Sequence, residues 1–328
     1  MKSQIIVNNI SKSYKTYIKE DGIINTIKGL FHRKYNYIKA VDDISFTVKD
    51  GEILGLIGLN GAGKTTIIKL ASGIIKQDKG TIKVLNSDPF SRTKDYRKKV
   101  SLVMGQKGQL DPDLSIIDSI KLYATVYSID RNEAISRAKS MADELNLSEV
   151  DLRKQVRNLS LGQRMKGELI LSFIHLPVIV FLDEPTLGLD FVTQRSIRNY
   201  LKNYKEKYNA SIILTSHYIN DIEDLCDNIY IINKGKELYY GSIDKLKGMV
   251  PNIRSVKFNA SDCAVENISK SFKLRKSEAD EKEYSIKFNP NMMMDVMQIL
   301  SNEKGVSNIN FHDDTLDIII ESLYEGAK

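Results

Sequence analysis

The stretch GLNGAGKTT, Gly58–Thr66, has residue types and spacing suited to holding phosphate. It fits G-x-x-x-x-G-K-[ST] between an apolar β-rich run, ILGLI, and a helical pattern, IIKLASGII. Gly58, Gly61 and Gly63 let the backbone bend around phosphate oxygens, with Leu59, Asn60 and Ala62 supplying further main-chain N–H groups. The helix start adds positive potential. Lys64 is expected to reach the β- and γ-phosphates, and the hydroxyl of Thr65, followed by Thr66, is placed for Mg²⁺. A purely structural glycine turn would need neither the lysine nor the strand–loop–helix setting.

Further along, VIVFLDEP ends an apolar run in two carboxylates. Burying that strand puts Asp183 and Glu184 at the carboxyl edge of a sheet, where open α/β sheets bind ligands. Asp183 is expected to hold Mg²⁺, and Glu184 to act as general base on the attacking water. Alone, such a pair is as often a helix cap or a surface pair; the upstream phosphate loop gives it weight. ILTSH is another strand ending in a polar switch, and His217 there can hydrogen-bond a γ-phosphate. His32, His175 and His312 lack that company.

LSLGQRMK, Leu159–Lys166, raises a different question. Its serine and glycine leave outward-pointing N–H donors at the start of a helical pattern, with no ligand near in sequence. A helix cap by Ser160 is the plain reading.

The elements that would position these residues can be read from periodicity. ISFTV, ILGLIG, VSLVM, VIVFL, SIILTS and IYIIN are β-rich runs separated in several places by helical patterns. That alternation predicts a parallel sheet with crossover helices. Pro112–Gln155 has helical spacing with no strand between, so it reads as a helical insert. A boundary is expected around Asp244–Pro251. Beyond it, four alternating runs and two helical ones predict a small α+β domain. Met292, Met293, Val296, Met297 and Leu300 are expected to form a core stripe rather than a ligand face.

Composition sets bounds on all this. With 328 residues the chain can carry a full core and an appendage. Its apolar runs fall short of a membrane span, and the N-terminus turns polar too early for a signal peptide. Two distant cysteines, Cys226 and Cys263, have no metal-ligand spacing. The net charge of +6 suits anionic ligands but selects no function.

Taken in order, Tyr14 in SKSY, the phosphate loop, Gln106 in VMGQ, LSLGQ, FLDEPTLGLD and TSH resemble the nucleotide-binding subunit of ATP-binding cassette (ABC) transporters, over about residues 4–246. The resemblance implies a P-loop NTPase α/β sheet core with an inserted helical subdomain. The implied organisation is a nucleotide-binding domain over 1–246, with the helical insert at about 108–165 and an N-terminal insertion at about 15–39. A small C-terminal α+β accessory domain follows over 251–328. It further implies that Tyr14 stacks on adenine, that Gln106 touches Mg²⁺ and the water, and that His217 holds the γ-phosphate. Ser160, Leu161, Gly162, Gln163 and Asp190 are implied to contact ATP on an opposite subunit, which answers the question of the outward donors. Where the family has L-S-G-G-Q, this chain has Leu161 in place of the first glycine, which adds bulk at that composite site. The stretch around it looks most like the ATPases of ABC-2-type exporters.

The implied function is an ATPase, with ATP and Mg²⁺, that powers a separate membrane permease and is expected to export its substrate. The expected partners are that permease and a second nucleotide-binding subunit, a homodimer being the simpler arrangement and a heterodimer the other. The expected location is the cytoplasmic face of the membrane, peripherally bound. Within the insertion, Ile23, Ile27, Leu30 and Phe31 form one apolar helical face beside Arg33 and Lys34. That face suits the membrane surface, the membrane subunit or the chain's own core. Rival readings are a soluble ABC ATPase acting on ribosome or nucleic acid, an importer ATPase and a small-molecule kinase. No nucleic acid is expected, because neither a second cassette nor a long coiled-coil interruption is present.

Overall fold

The computed structural model describes residues 3–17, 35–105, 108–249, 254–277, 282–312 and 316–326. Two compact units divide the chain, Met1–Gly241 and Ser242–Lys328.

In the first unit the strands are β1 (Ser3–Tyr17), β2 (Tyr35–Lys49), β3 (Ile53–Gly58), β4 (Lys79–Val84), β5 (Val100–Met104), β6 (Ile179–Asp183), β7 (Ser211–Thr215), β8 (Asn228–Asn233) and β9 (Lys236–Gly241). A six-stranded sheet runs in the order β5-β6-β7-β3-β8-β9. Its strands pair in parallel except β8 with β9. Every residue of β6 and β7 is buried, as strands covered on both faces require. That burial accounts for the unbroken apolar runs of these two strands. A second sheet, antiparallel in the order β2-β1-β4, packs its apolar face into the same core through Ile5, Val7, Val41, Ile44, Phe46 and Ile82.

The helices are α1 (Lys64–Ala71), α2 (Lys94–Lys99), α3 (Ile116–Tyr127), α4 (Arg131–Glu144), α5 (Glu149–Arg153), α6 (Leu161–Phe173), α7 (Phe191–Tyr208) and α8 (Ile219–Leu225). Most starts are fixed by a side-chain cap: Ser115, Asp130, Ser148, Ser160 and Asp190 each accept a backbone N–H of the first turn. Helices α3, α4 and α5 follow one another without an intervening strand over the stretch read as an insert. The apolar helix expected around Ile23–Phe31 lies outside the described residues. Its flanks do not: Lys15–Tyr17 and Tyr35–Lys39 continue the β1–β2 hairpin, Tyr17 facing Tyr35.

The second unit holds α9 (Ile243–Met249), β10 (Arg254–Ala260), α10 (Asp262–Ser269), β11 (Leu274–Lys276), β12 (Glu283–Phe288), α11 (Met293–Asn302), β13 (Val306–His312) and α12 (Leu316–Gly326). Its sheet has the order β11-β12-β10-β13 and packs one apolar face against α10 and α11. The methionine stripe divides: Val296 and Leu300 are buried and Met293 packs against them, but Met292 and Met297 are 40% and 45% exposed. Met293, Val296 and Leu300 follow one another at three and four residues, so they share a face. Met292 belongs to the preceding turn, and Met297 lies about 100° around the helix from Val296.

Candidate nucleotide site

Strand β3 delivers the chain into the phosphate loop at Gly58, and α1 leaves it at Lys64. Gly63 has φ of 115°, and a Cβ there would stand 2.4 Å from the carbonyl oxygen of Ala40 on β2. Only glycine fits that position. Gly63 is also the N-cap of α1 and supplies no side-chain acceptor, and the first turn has no acidic residue. The helix thus opens with its N–H donors unneutralised, the arrangement that suits an anion.

A hollow of about 170 Å³ over this loop is lined by Ala40, Asn60, Gly61, Ala62, Gly63, Lys64, Thr65, Thr66 and Glu184. The loop and the end of β6, far apart in sequence, therefore meet. Lys64 is 6% exposed, and its Nζ donates to the carbonyl of Gly58 at 2.6 Å. Burial pulls its pKa down, opposed by the charges of Glu184 and Asp183. Thr65 Oγ1 donates to Asp183 Oδ2 at 2.9 Å, and Thr215 Oγ1 donates to Asp183 Oδ1 at 2.8 Å. Strands β3, β6 and β7 are adjacent in the sheet and end together, which is why these side chains converge.

Glu184 has φ of 56°. A non-glycine residue held in the left-handed region costs about 1–3 kcal/mol and persists only where neighbours fix it. Here its N–H donates to Thr215 Oγ1 at 2.9 Å, and its Oε1 lies 2.8 Å from His217 Nε2. The strained turn aims the carboxylate into the hollow, and β7 holds the turn.

Tyr14 on β1 is 38% exposed and faces Ile38 on β2, two residues from the Ala40 that touches the loop. Gln106 lies outside the described residues. Gln109, three residues on, is committed elsewhere: its side chain donates to the Leu102 carbonyl at 2.7 Å and to Ser172 at 3.1 Å. Buried Glu168 on α6 accepts the N–H groups of Gln109 and Leu110, tying the segment after β5 to the helix that begins at Leu161.

Ser160 and Gln163 form a reciprocal capping box at the start of α6. Leu161 is 53% exposed beside them, and Gly162 abuts Thr193. Asp190 caps α7, accepting from the N–H and hydroxyl of the same Thr193 at 2.9 and 2.7 Å. The starts of α6 and α7 are therefore packed together, yet the phosphate-loop hollow is lined by none of Ser160–Gln163. A contact that periodicity did not reveal is the buried set Thr186, Arg198, Ser216 and Asp221. The signal available was an acidic residue one helical turn after His217.

Fold and site together define a P-loop nucleotide hydrolase. The ABC transporter family profile matches residues 41–187. An uncharacterised ABC transporter ATP-binding protein of Methanocaldococcus jannaschii is 35% identical over 208 residues, 63% of this chain and 74% of that one. The bacitracin transport ATP-binding protein BcrA of Bacillus licheniformis is 29% identical over 230 residues, 70% of this chain and 73% of that one. Among solved structures, a dimeric ATP-binding cassette in a post-hydrolysis state, bound to ADP and Pi, aligns with a TM-score of 0.61 at 21% identity. That alignment covers 73% of this chain and 98% of the other. The chain belongs to the ATP-binding proteins of ABC transporters, and it is an ATPase that powers membrane transport.

Proposed function

We propose that this subunit hydrolyses ATP at a site shared by two cassettes, and that the energy drives export through a separate membrane permease. The observation that carries the chemical part is the 170 Å³ hollow in which Lys64, Thr65 and Glu184 face one another above an uncapped helix start. ATP is the substrate. Its phosphates bind the main-chain donors of Gly58–Thr66 and Lys64, and Tyr14 stacks on the adenine.

Glu184 takes a proton from the attacking water as the water oxygen bonds the γ-phosphorus and the bond to the departing ADP oxygen breaks. His217 orients that carboxylate and contacts the γ-phosphate; Gln106 helps place the water. Mg²⁺ suits the donor set here, because one hydroxyl and one carboxylate 2.9 Å apart match a cation that takes few protein ligands beside substrate phosphates. Thr65 and Asp183, with Gln106, would hold it. When bound, it neutralises phosphate charge.

The second half of the site comes from the partner cassette. Ser160, Leu161, Gly162, Gln163 and Asp190 do not line the hollow of their own chain, and exposed Leu161, Leu187, Phe191 and Val192 surround the same surface. A homodimer supplies both halves twice; a heterodimer supplies them with a related chain. The assembly sits peripherally on the cytoplasmic membrane face, held there by the permease; no described helix is long and apolar enough to cross a membrane. Export is favoured over import by the likeness around LSLGQ to ABC-2-type exporters and by similarity to ATP-binding proteins of bacitracin transport and of doxorubicin resistance.

Two variants test the chemistry. Glu184→Gln keeps ATP binding and lowers hydrolysis by roughly 10²–10⁴, whereas Lys64→Ala weakens ATP binding itself. Wild-type hydrolysis by Glu184→Gln would remove Glu184 as the base.

A further inference from the structure

The turns that carry Glu184 and His217 are joined a second time, behind the reacting groups. Asp221 on α8 is 1% exposed, and it is surrounded by buried partners: Thr186 at 2%, Ser216 at 5% and Arg198 at 5%. Thr186, two residues after Glu184, donates its hydroxyl to Asp221 Oδ2. Ser216, immediately before His217, donates its hydroxyl to that same oxygen at 2.6 Å. The other carboxylate oxygen, Oδ1, accepts from Arg198 Nη1 at 2.8 Å, and Arg198 Nε also reaches Asp224 at 3.0 Å.

One oxygen therefore bridges the two turns, and the guanidinium ties the bridge to α7. That helix is the one whose N-cap is Asp190. A buried carboxylate left unpaired would be costly, so the two hydroxyls and the guanidinium are held in a fixed arrangement around it. Nothing in this set faces the phosphate-loop hollow.

We infer that Asp221 is a positioning residue for hydrolysis: by holding Thr186 and Ser216 on one carboxylate oxygen, it keeps Glu184 and His217 in register with each other and with the helix that starts at Asp190. The inference rests on the assignment of Glu184 as the base. It adds a mechanical link that the hollow itself does not contain. Breaking either hydroxyl contact lets one turn shift relative to the other. Glu184, held at a positive φ, is the residue with most to lose from such a shift.

The test uses the full chain with ATP and Mg²⁺, assayed well below the melting temperature of every variant. Thr186→Val and Ser216→Ala each remove one hydroxyl and leave the Arg198–Asp221 pair intact. Each is expected to lower kcat by about tenfold while KM for ATP stays within about twofold. Thr186→Ser, which restores a hydroxyl, is expected to return kcat to near the wild-type value. The double variant should be no slower than the slower single one, because either deletion already breaks the bridge. Lowered melting temperatures with wild-type kcat in both single variants would overturn the proposal and leave a purely structural network. Independent, multiplying losses in the double variant would overturn the shared bridge. A Glu184→Gln control separates the two claims: if it hydrolyses ATP normally, the base assignment has failed, whereas an inactive control beside fully active Thr186→Val and Ser216→Ala rejects only the role of Asp221.

Discussion

Glu184 and Gly63 meet opposite demands at one hollow. Glu184 is a side chain tolerated at φ 56° because Thr215 and His217 hold it, whereas Gly63, at φ 115° and against Ala40, tolerates no side chain at all. Gly63→Ala is therefore expected to destabilise the chain by more than about 1 kcal/mol and to reduce ATP affinity, read by thermal melting and nucleotide titration. The phosphate loop and the Asp183–Glu184 pair were legible in the sequence because their chemistry is local: a few consecutive residues after an apolar run. The Asp221 bridge was not, since its members come from three separate segments. Their spacing obeys no period, and each alone is an ordinary polar residue.

Among the elements, α6 links the outward-facing signature to the rest of the unit. Ser160 caps it reciprocally with Gln163, so Ser160→Ala is expected to cost about 1 kcal/mol of stability, seen as a lowered melting temperature. Just beyond the end of α6, His175 stacks on Tyr127 of α3 at 4.0 Å between ring centres. Burial pushes its pKa down to about 4 from the ordinary 6.5. The unfolded chain takes up a proton near 6.5 and the folded chain resists it until about 4. Stability is therefore full above the upper value and falls as pH drops through that window. His175→Phe should flatten this part of a stability–pH profile measured by denaturant melts.

The central strands β3, β6, β7 and β8 were readable as elements because burial on both faces makes them largely apolar. The β1–β2–β4 sheet was harder. In NNISKSYKTY the outward positions are polar and the register shifts break the alternation, so periodicity gave little sign of a long strand. Tyr14 belongs to that sheet, and its place near the loop follows from pairing with β2 rather than from its own sequence neighbours.

At the scale of the whole molecule, the chain forms two units with their own apolar clusters, and the division falls at Gly241–Ser242, so that α9 belongs with the second unit. The boundary expected around Asp244–Pro251 rested on the strand-like alternation that begins beyond it. Assembly is where the proposed mechanism meets its strictest test, since it has one chain's ATP completed by another chain's Ser160–Gln163. Sedimentation of the 328-residue Glu184→Gln chain with and without ATP and Mg²⁺ tests it most directly. A dimer is expected only when ATP is present, and it is expected to be lost when Ser160→Arg is added to the same background. A chain that stays monomeric in saturating ATP, or a dimer indifferent to Ser160→Arg, would contradict it.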